Sequence, residues 1–369
     1  MGACSLIIEI LSVRNFRNLC HVDVELGAGL NVLFGDNGQG KTNFLEALYA
    51  LATTQSFRTS RAAEMIATGQ PMSSLRGRID EQGQVREQSV GMRRGGRTVR
   101  IDGKRPPTLA AYALATPVVA FHPGAIALAG GPSAERRKLL DRVALHVSPS
   151  SLEDGRAYAR ALRSRQRSLE GRGDSASDLD GWEDLMVEHG MAITAARANA
   201  AEALALAASR SFANLGAPSA MTLSARYESG SPPSPEAFRT DLRSHRVRDR
   251  ARRSASVGPH RDDLKLSLGG LPVRGVASQG QQRAVTLALQ LAEIEVVEQV
   301  RAVRPILLLD DVSSELDDTR THALVAALRR DSRQVVLTTT RPELIAAAGL
   351  SEMDQRRDFR VTDGVVARV

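Results

Sequence analysis

Cysteine, lysine and long apolar runs are all scarce in this chain of 369 residues, and each shortage excludes something. Two cysteines, Cys4 and Cys20, are too few for a disulfide framework or a structural zinc site, which fits a reducing compartment. No stretch of about 18 uninterrupted apolar residues occurs, so no membrane-spanning helix is expected. The opening MGACSLIIEILSVRNFRN has neither the basic region nor the cleavage site of a secretory leader, and a cytoplasmic location is the expectation. Long heptad repeats are missing too, which excludes an extended coiled coil. Only four of the 49 basic residues are lysines (Lys41, Lys104, Lys138, Lys265). So skewed a ratio is as compatible with codon bias as with function. The net charge of +7 and the pI near 10.0 therefore permit a polyanionic partner without requiring one. With 42% apolar residues, the chain has the composition of a soluble globular protein with room for two or three domains.

What is present begins with a phosphate-binding loop. The apolar run Leu30 to Phe34 leads directly into Gly35-Asp36-Asn37-Gly38-Gln39-Gly40-Lys41-Thr42, which satisfies G-x-x-x-x-G-K-[ST]. Glycines let successive backbone N–H groups turn toward phosphates, and a following helix adds its positive end. Lys41 supplies a mobile cation and the Thr42 hydroxyl a Mg²⁺ ligand. Asn43, Phe44, Leu45, Leu48 and Leu51 continue at helical spacing, which puts the loop at a strand-to-helix junction.

Around that loop the chain reads as an α/β protein. Ile7 to Val13 and His21 to Leu26 alternate as strands, with a polar turn, Arg14 to Asn18, between them. Leu75 to Ile79, Val85 to Met92 and Thr98 to Ile101 form an antiparallel layer punctuated by Asp102-Gly103, a hairpin signal. Pro117 to Phe121 adds a strand, and Ser133 is the expected N-cap of a helix over Ala134 to Arg142. From Ser151 to Leu215 two or three helices form an arm, broken at Gly171 to Ser175. In the first of these, Arg156, Arg160, Arg163 and Arg167 share one face, either a solvated surface or a contact for a DNA backbone. Met221 to Glu228 alternates as a strand, and after a Pro/Ser linker comes a helix carrying Arg239, Arg243, Arg246, Arg248, Arg250, Arg252 and Arg253. Strands at Leu264 to Leu268, Ile306 to Asp310 and Gln334 to Thr338 then alternate with helices at Gln281 to Val300, at Thr319 to Arg329 and from Pro342, as a parallel sheet requires. The expected division is residues 1–122 and 236–369 as two parts of one nucleotide-binding head, with 123–235 as an inserted helical arm.

The strand Ile306-Leu307-Leu308-Leu309 ends in Asp310 and Asp311. A buried strand ending in carboxylates is where a nucleotide-binding sheet delivers its metal ligand, so Asp310 is assigned to Mg²⁺ and Asp311 to the attacking water. Ser278-Gln279-Gly280-Gln281-Gln282 opens a long helix, and its exposed N–H groups form a second anion-binding surface. One phosphate loop needs no second surface of its own. The economical explanation is that this one caps the γ-phosphate held by an opposite protomer, in a head-to-tail dimer formed around ATP.

GDNGQGKT, SQGQQR, LLLDDVSSELD and LTTT together resemble the ABC-type ATPase heads of the SMC class. Within that class VRNFRN, SFRTS, VVAFHPGAIALAGGPSAERRKLLD, VGPHRDDL and SQGQQRAVTLALQLAE resemble the RecF family over nearly the whole chain. The resemblance implies an ABC-type head, a mixed sheet with an antiparallel layer, and an inserted helical arm. It implies ATP and Mg²⁺ at Gly35, Asp36, Asn37, Gly38, Gln39, Gly40, Lys41 and Thr42, with Lys41, Asp310 and Asp311 catalytic. Ser278, Gln279, Gly280 and Gln281 would contact ATP in trans, and Ser314 to Asp317 would face the dimer partner. It further implies a weak DNA-stimulated ATPase of recombinational repair and replication maintenance. Such a protein would dimerise on gapped or junction DNA and cooperate with RecO and RecR in loading RecA. Transport-type domains carry a His where this chain has Thr338, Thr339 and Thr340. Gln55 stands too close to Thr42 to take the Q-loop role. His260, Arg261, Asp262 and Asp263 match the family motif and read as a bracing salt-bridge network. The alternatives are the ATP-binding subunit of a membrane transporter, disfavoured by the separation of 237 positions from Lys41 to Ser278, and a nucleotide-binding scaffold without turnover.

Overall fold

The structure, a computed structural model, describes residues 4–215, 221–311, 333–342 and 355–369. It divides into two compact units, Met1–Ala125 with Val297–Val369, and Ile126–Val296. The second unit thus extends past residue 235 and takes in the GPHRDDL segment and Ser278. The helices expected at Thr319 to Arg329 and after Pro342, and the segment Ser314 to Asp317, lie outside the described residues.

The first unit is built on two sheets with a helix between them. Strands β1 (Leu6–Phe16) and β2 (Leu19–Glu25) do not extend the sheet of β3 (Leu30–Phe34). They join β4 (Met72–Glu81), β5 (Gln84–Arg93) and β6 (Gly96–Ile101) in an antiparallel sheet of order β2-β1-β4-β5-β6. Their alternation gives one buried and one open face, whereas β3 is buried on both. β3 therefore enters the other sheet, of order β14-β13-β3-β12-β11-β7, with β7 (Val118–Phe121), β11 (Ile306–Asp310), β12 (Val335–Thr339), β13 (Arg357–Thr362) and β14 (Val365–Arg368). All its pairings are parallel except β13 with β14. Helix α1 (Lys41–Thr53) is buried from Phe44 to Ala52, and Leu45, Leu48 and Leu51 share one core with Leu11, Val13 and Leu75 of one sheet and Leu308 and Val336 of the other. Helix α2 (Leu109–Ala115) starts on an N-cap, the Thr108 hydroxyl accepting from the Ala111 N–H. Asp102-Gly103 makes only a tight turn that returns Lys104 to Ile101. The long hairpins turn instead at Gln82-Gly83 and Arg94-Gly95.

The second unit comprises the short α3 (Ala127–Gly130), α4 (Ser133–Val147), α5 (Ser151–Arg172), α6 (Leu179–Asn214), β8 (Leu223–Glu228), α7 (Pro235–Ser244), α8 (Arg246–Arg252), β9 (Asp263–Leu268), β10 (Leu271–Pro272) and the start of α9 (Gln279–Arg301). The arm holds two long helices, and the break between them is set by Gly173, whose φ of 92° ends α5. Ser133 is not the N-cap of α4. Pro132, fixed at φ −67°, takes that position, so Ser133 is already helical and its hydroxyl accepts from Arg137. The single arginine-bearing helix expected after the linker is two, α7 and α8, which break at His245.

An ionic core locks these helices. Arg165 is fully buried, and its guanidinium donates to Glu183 at 2.9 Å, Asp249 at 2.8 Å and the Leu242 carbonyl at 2.7 Å. Glu183 and Asp249 are themselves fully buried. Replacing Arg165 by Met takes the shared guanidinium from both carboxylates, leaving Arg246 on Glu183 and the Ser256 hydroxyl on Asp249, and we expect urea unfolding to register a loss of about 3–5 kcal/mol. A loss under about 1 kcal/mol would contradict this role for Arg165.

Candidate nucleotide-binding site

The turn from β3 into α1 is fixed by glycines at positions no other residue fits. Gly35 has φ 149°, and a Cβ there would stand 2.3 Å from the Val361 carbonyl of β13. Gly40, at φ 113°, precedes α1 and would press on the Asn18 side chain at 2.9 Å. Lys41 is 8% exposed, and its ammonium is held inside the loop, donating to the carbonyls of Gly35 at 2.7 Å and Asp36 at 2.8 Å. Burial pulls its pKa below the ordinary lysine value, against the opposing charges of Asp311, Asp310 and Asp36.

Across the sheet Asp310 ends β11 between β12 and β7. Its Oδ1 accepts from the Thr42 hydroxyl and from the Thr338 hydroxyl, both at 2.8 Å. Burial pushes the Asp310 carboxyl above the ordinary carboxylate range, although both hydroxyls pull it down. The next residue, Asp311, turns sharply at φ 48°, and its N–H donates to the Thr338 carbonyl at 3.2 Å and hydroxyl at 3.1 Å. Of the threonines standing where a transport-type domain has His, Thr338 thus orients Asp310, and the Thr339 hydroxyl accepts from the Arg341 N–H. Gln55 is exposed and only closes the turn after α1. Thr42 and Asp310 form a hard-oxygen pair of the kind Mg²⁺ takes when substrate phosphates complete its shell. Among the described residues no group of three or more His, Cys, Asp or Glu could hold a metal ion.

The loop is braced by residues whose role the sequence did not disclose. Gln39 accepts from the N–H groups of Gly364 at 2.9 Å and Asp363 at 2.6 Å, in the turn joining β13 and β14. Asn18 donates to the Gln39 carbonyl at 3.3 Å and accepts from Asn43 at 2.7 Å. Behind them Glu46, fully buried in α1, receives Arg17 at 2.7 Å, Ser56 at 2.5 Å and Arg58 at 3.2 Å. The Arg14 to Asn18 segment is therefore more than a polar turn anchored by Phe16. Asp363-Gly364, flanked by alternating apolar residues, was the one signal in the sequence that could have revealed the hairpin.

In the second unit Ser278 and Gln281 cap α9 reciprocally: the Ser278 N–H donates to the Gln281 side chain at 2.8 Å, and the Gln281 N–H donates to the Ser278 hydroxyl at 3.2 Å. Ser278 and Gln279 are exposed. The N–H groups of Gln279 and Gly280, in the first turn, have no helical acceptor and face whatever approaches this end. The GPHRDDL segment forms a brace. Asp262 is fully buried and receives Arg197 at 2.8 Å, the Tyr227 hydroxyl at 2.5 Å and the Gly230 N–H at 2.7 Å. Asp263 pairs with Arg136 at 2.7 Å. His260 Nε2 lies 3.0 Å from the Ala255 carbonyl, which can only accept, so Nδ1 is the acceptor for the Tyr158 hydroxyl at 2.7 Å. Arg156, Arg160, Arg163 and Arg167 are all exposed, and among the described residues none pairs with a carboxylate. Arg239, Arg243 and Arg246 are spent on Asp184, Asp180 and Glu183, whereas Arg248, Arg250, Arg252 and Arg253 are exposed and have no such pairs among the described residues.

A glycine cradle at a helix start, a lysine and a threonine behind it, and a carboxylate from a neighbouring strand bonded to that threonine define an ABC-type ATPase head. The RecF/RecN/SMC N terminal domain family matches residues 7–358. The DNA replication and repair protein RecF of Anaeromyxobacter sp. (strain Fw109-5) is 40% identical over 92% of this chain and 93% of the relative. That of Myxococcus xanthus (strain DK1622) is 38% identical over 93% of each. A solved structure of the recombination mediator protein RecF with ATP, in the RecFOR pathway, superposes with a TM-score of 0.86 at 27% identity, covering 100% of this chain and 99% of that one. The chain belongs to the RecF family.

Burial lowers the pKa of His260 below its ordinary value of 6.5, so the folded protein takes up this proton less readily than the unfolded chain. Its contribution to stability is complete above the unfolded value and is lost as pH falls through that value toward the folded one. Urea midpoints measured from about pH 7.5 to about pH 5.5 should fall more steeply for the wild type than for His260→Gln. Parallel curves would refute the neutral, buried imidazole.

Proposed function

We propose that the chain is an ATP-dependent DNA-binding protein of recombinational repair and replication maintenance, which dimerises around ATP on gapped or junction DNA. The observation that carries the reading is the pair of 2.8 Å hydrogen bonds placing Thr42 and Asp310 on one point beside the glycine cradle. The cradle N–H groups and the start of α1 bind the phosphates. Lys41 exchanges its two carbonyl acceptors for phosphate oxygens, which is why its charge is held ready in a buried position. Mg²⁺, when bound, neutralises charge on the β- and γ-phosphates. Asp311 orients the attacking water. Ser278 to Gln282 of a second copy close the γ-phosphate side, consistent with their exposure at a helix start. The exposed stripe of Arg156, Arg160, Arg163 and Arg167 supplies phosphate contacts without base readout. Turnover is slow and DNA-stimulated, and RecO and RecR are the partners with which RecA is loaded. The names and extent of the relatives support this over a transporter subunit, as does the stretch of the second unit from Ile126 to Ala277 that stands between Lys41 and Ser278 in the chain.

The direct test compares gapped with blunt duplex, with and without ATP. Binding that prefers the gap and tightens with ATP is expected, and binding indifferent to both contradicts the reading. Sedimentation should show that Lys41→Ala abolishes the ATP-dependent dimer; an undiminished dimer rejects the sandwich. Asp311→Asn should hold the ATP-bound dimer on DNA while hydrolysis drops by roughly 10²-fold or more. Normal turnover in that variant removes Asp311 from the water.

A further inference from the structure

The outer face of the antiparallel sheet carries a second basic surface that the nucleotide site does not use. Between residues 93 and 105 stand Arg93, Arg94, Arg97, Arg100, Lys104 and Arg105 against one acid, Asp102. Asp102 is already engaged, its carboxylate accepting from the Glu87 N–H at 2.8 Å. Arg97 turns inward to the Thr54 carbonyl and hydroxyl, and Arg100 donates to the Gly103 carbonyl at 2.7 Å. Arg93, Arg94, Lys104 and Arg105 are exposed and pair with no carboxylate among the described residues.

Strand register shows what these cations surround. Leu75, Val90 and Met92 face the core, so the alternate residues face out. They line up across the strands as Ser74, Gly91 and Thr98 in one row, and as Arg76, Ser89 and Arg100 in the next. This is a floor of hydroxyls and glycine with guanidinium groups at its margins, of which Arg76 is paired with Glu87 at 3.5 Å. Gly91 is the informative residue. Glycine inside a strand is destabilising relative to alanine, yet a Cβ at Gly91 would meet nothing within 4 Å and its φ is not positive. Neither packing nor backbone conformation requires it. A strand glycine of this kind marks close approach by a ligand or another backbone. Solvation or edge protection explains the charges on the edge strand β6, but not the missing side chain beneath them.

We propose that this face docks the phosphate backbone of a DNA duplex, as a contact separate from the arginine stripe of α5. The inference rests on the DNA-binding reading above and assigns it a second site. No aromatic residue occurs between Met72 and Pro106, so the face offers no stacking platform for unpaired bases, and a duplex fits it better than a single strand.

The test measures affinity of the full chain for a fluorescein-labelled blunt duplex across a salt series, for wild type and for the variant Arg93→Gln/Arg94→Gln/Lys104→Gln/Arg105→Gln. Each lost phosphate contact removes about 0.9 from the slope of log K against log salt, so the variant should be shallower by up to about 3–4. Its ATP binding and thermal midpoint should match the wild type. Gly91→Val, which raises the floor without changing charge, should weaken duplex binding at least several-fold. A steep wild-type slope left intact in the fourfold variant overturns this surface while leaving the DNA reading standing. A flat wild-type slope overturns both. If poly-L-glutamate displaces the duplex at equal charge concentration, the surface recognises acidic protein and the assignment to DNA is wrong.

Discussion

A single carboxylate oxygen ties the nucleotide site together. Asp310 Oδ1 accepts from Thr42, which begins α1 after the phosphate loop, and from Thr338 on the adjacent strand β12, each at 2.8 Å. A buried carboxylate is unfavourable unless its lone pairs are met, and here two hydroxyls meet them. The geometry follows from the strand order, because β12 lies between β3 and β11 and so brings residues 268 positions apart within one hydrogen bond. The same burial that pushes Asp310 toward its neutral form makes a bound cation more welcome. Loop, helix and strand are thereby tied to one another through Asp310.

The arginine bias acquires a physical content from the rest of the structure. Arg17 forks onto Glu46, Arg136 onto Asp263, Arg142 onto Glu293 and Arg197 onto Asp141. Each is a two-pronged contact that a lysine ammonium cannot reproduce. Part of the composition that looked like codon bias is therefore internal scaffolding. Among the described residues, exposed guanidinium groups without carboxylate partners cluster on α5 and α8 and on the β5–β6 hairpin, and these have charge to offer a polyanion.

Much of the site was legible because its chemistry is local. The glycine spacing, the apolar strand before it and the two carboxylates ending β11 are short-range patterns, and β3 and β11 fall where the pattern puts them. What stayed hidden depends on distant partners. Arg17 and Asn18 read as a turn because Glu46 and Gln39 give them meaning only in three dimensions. The β13–β14 hairpin was passed over, although its Asp363-Gly364 turn is bonded to Gln39. Ser133 lost the cap to a neighbouring proline, and the helix after residue 235 broke at His245, where local preference and tertiary packing disagree. His260 to Asp263 was readable as a brace from its charge pattern, but Tyr158, Arg197 and Tyr227 could not be named as its partners.

In the function proposed above, Ser278 of one chain completes the site of another. Mixing two inactive variants tests it directly. Lys41→Ala lacks the phosphate cation and Ser278→Arg blocks the closing surface, so neither forms a working site alone. A mixed dimer contains one composite site with both residues native. ATP hydrolysis in the mixture should therefore recover to a substantial fraction of the wild-type rate, highest at equal amounts of the two chains. A mixture no more active than its components would show that each chain completes its own site, and the half-site account would be wrong.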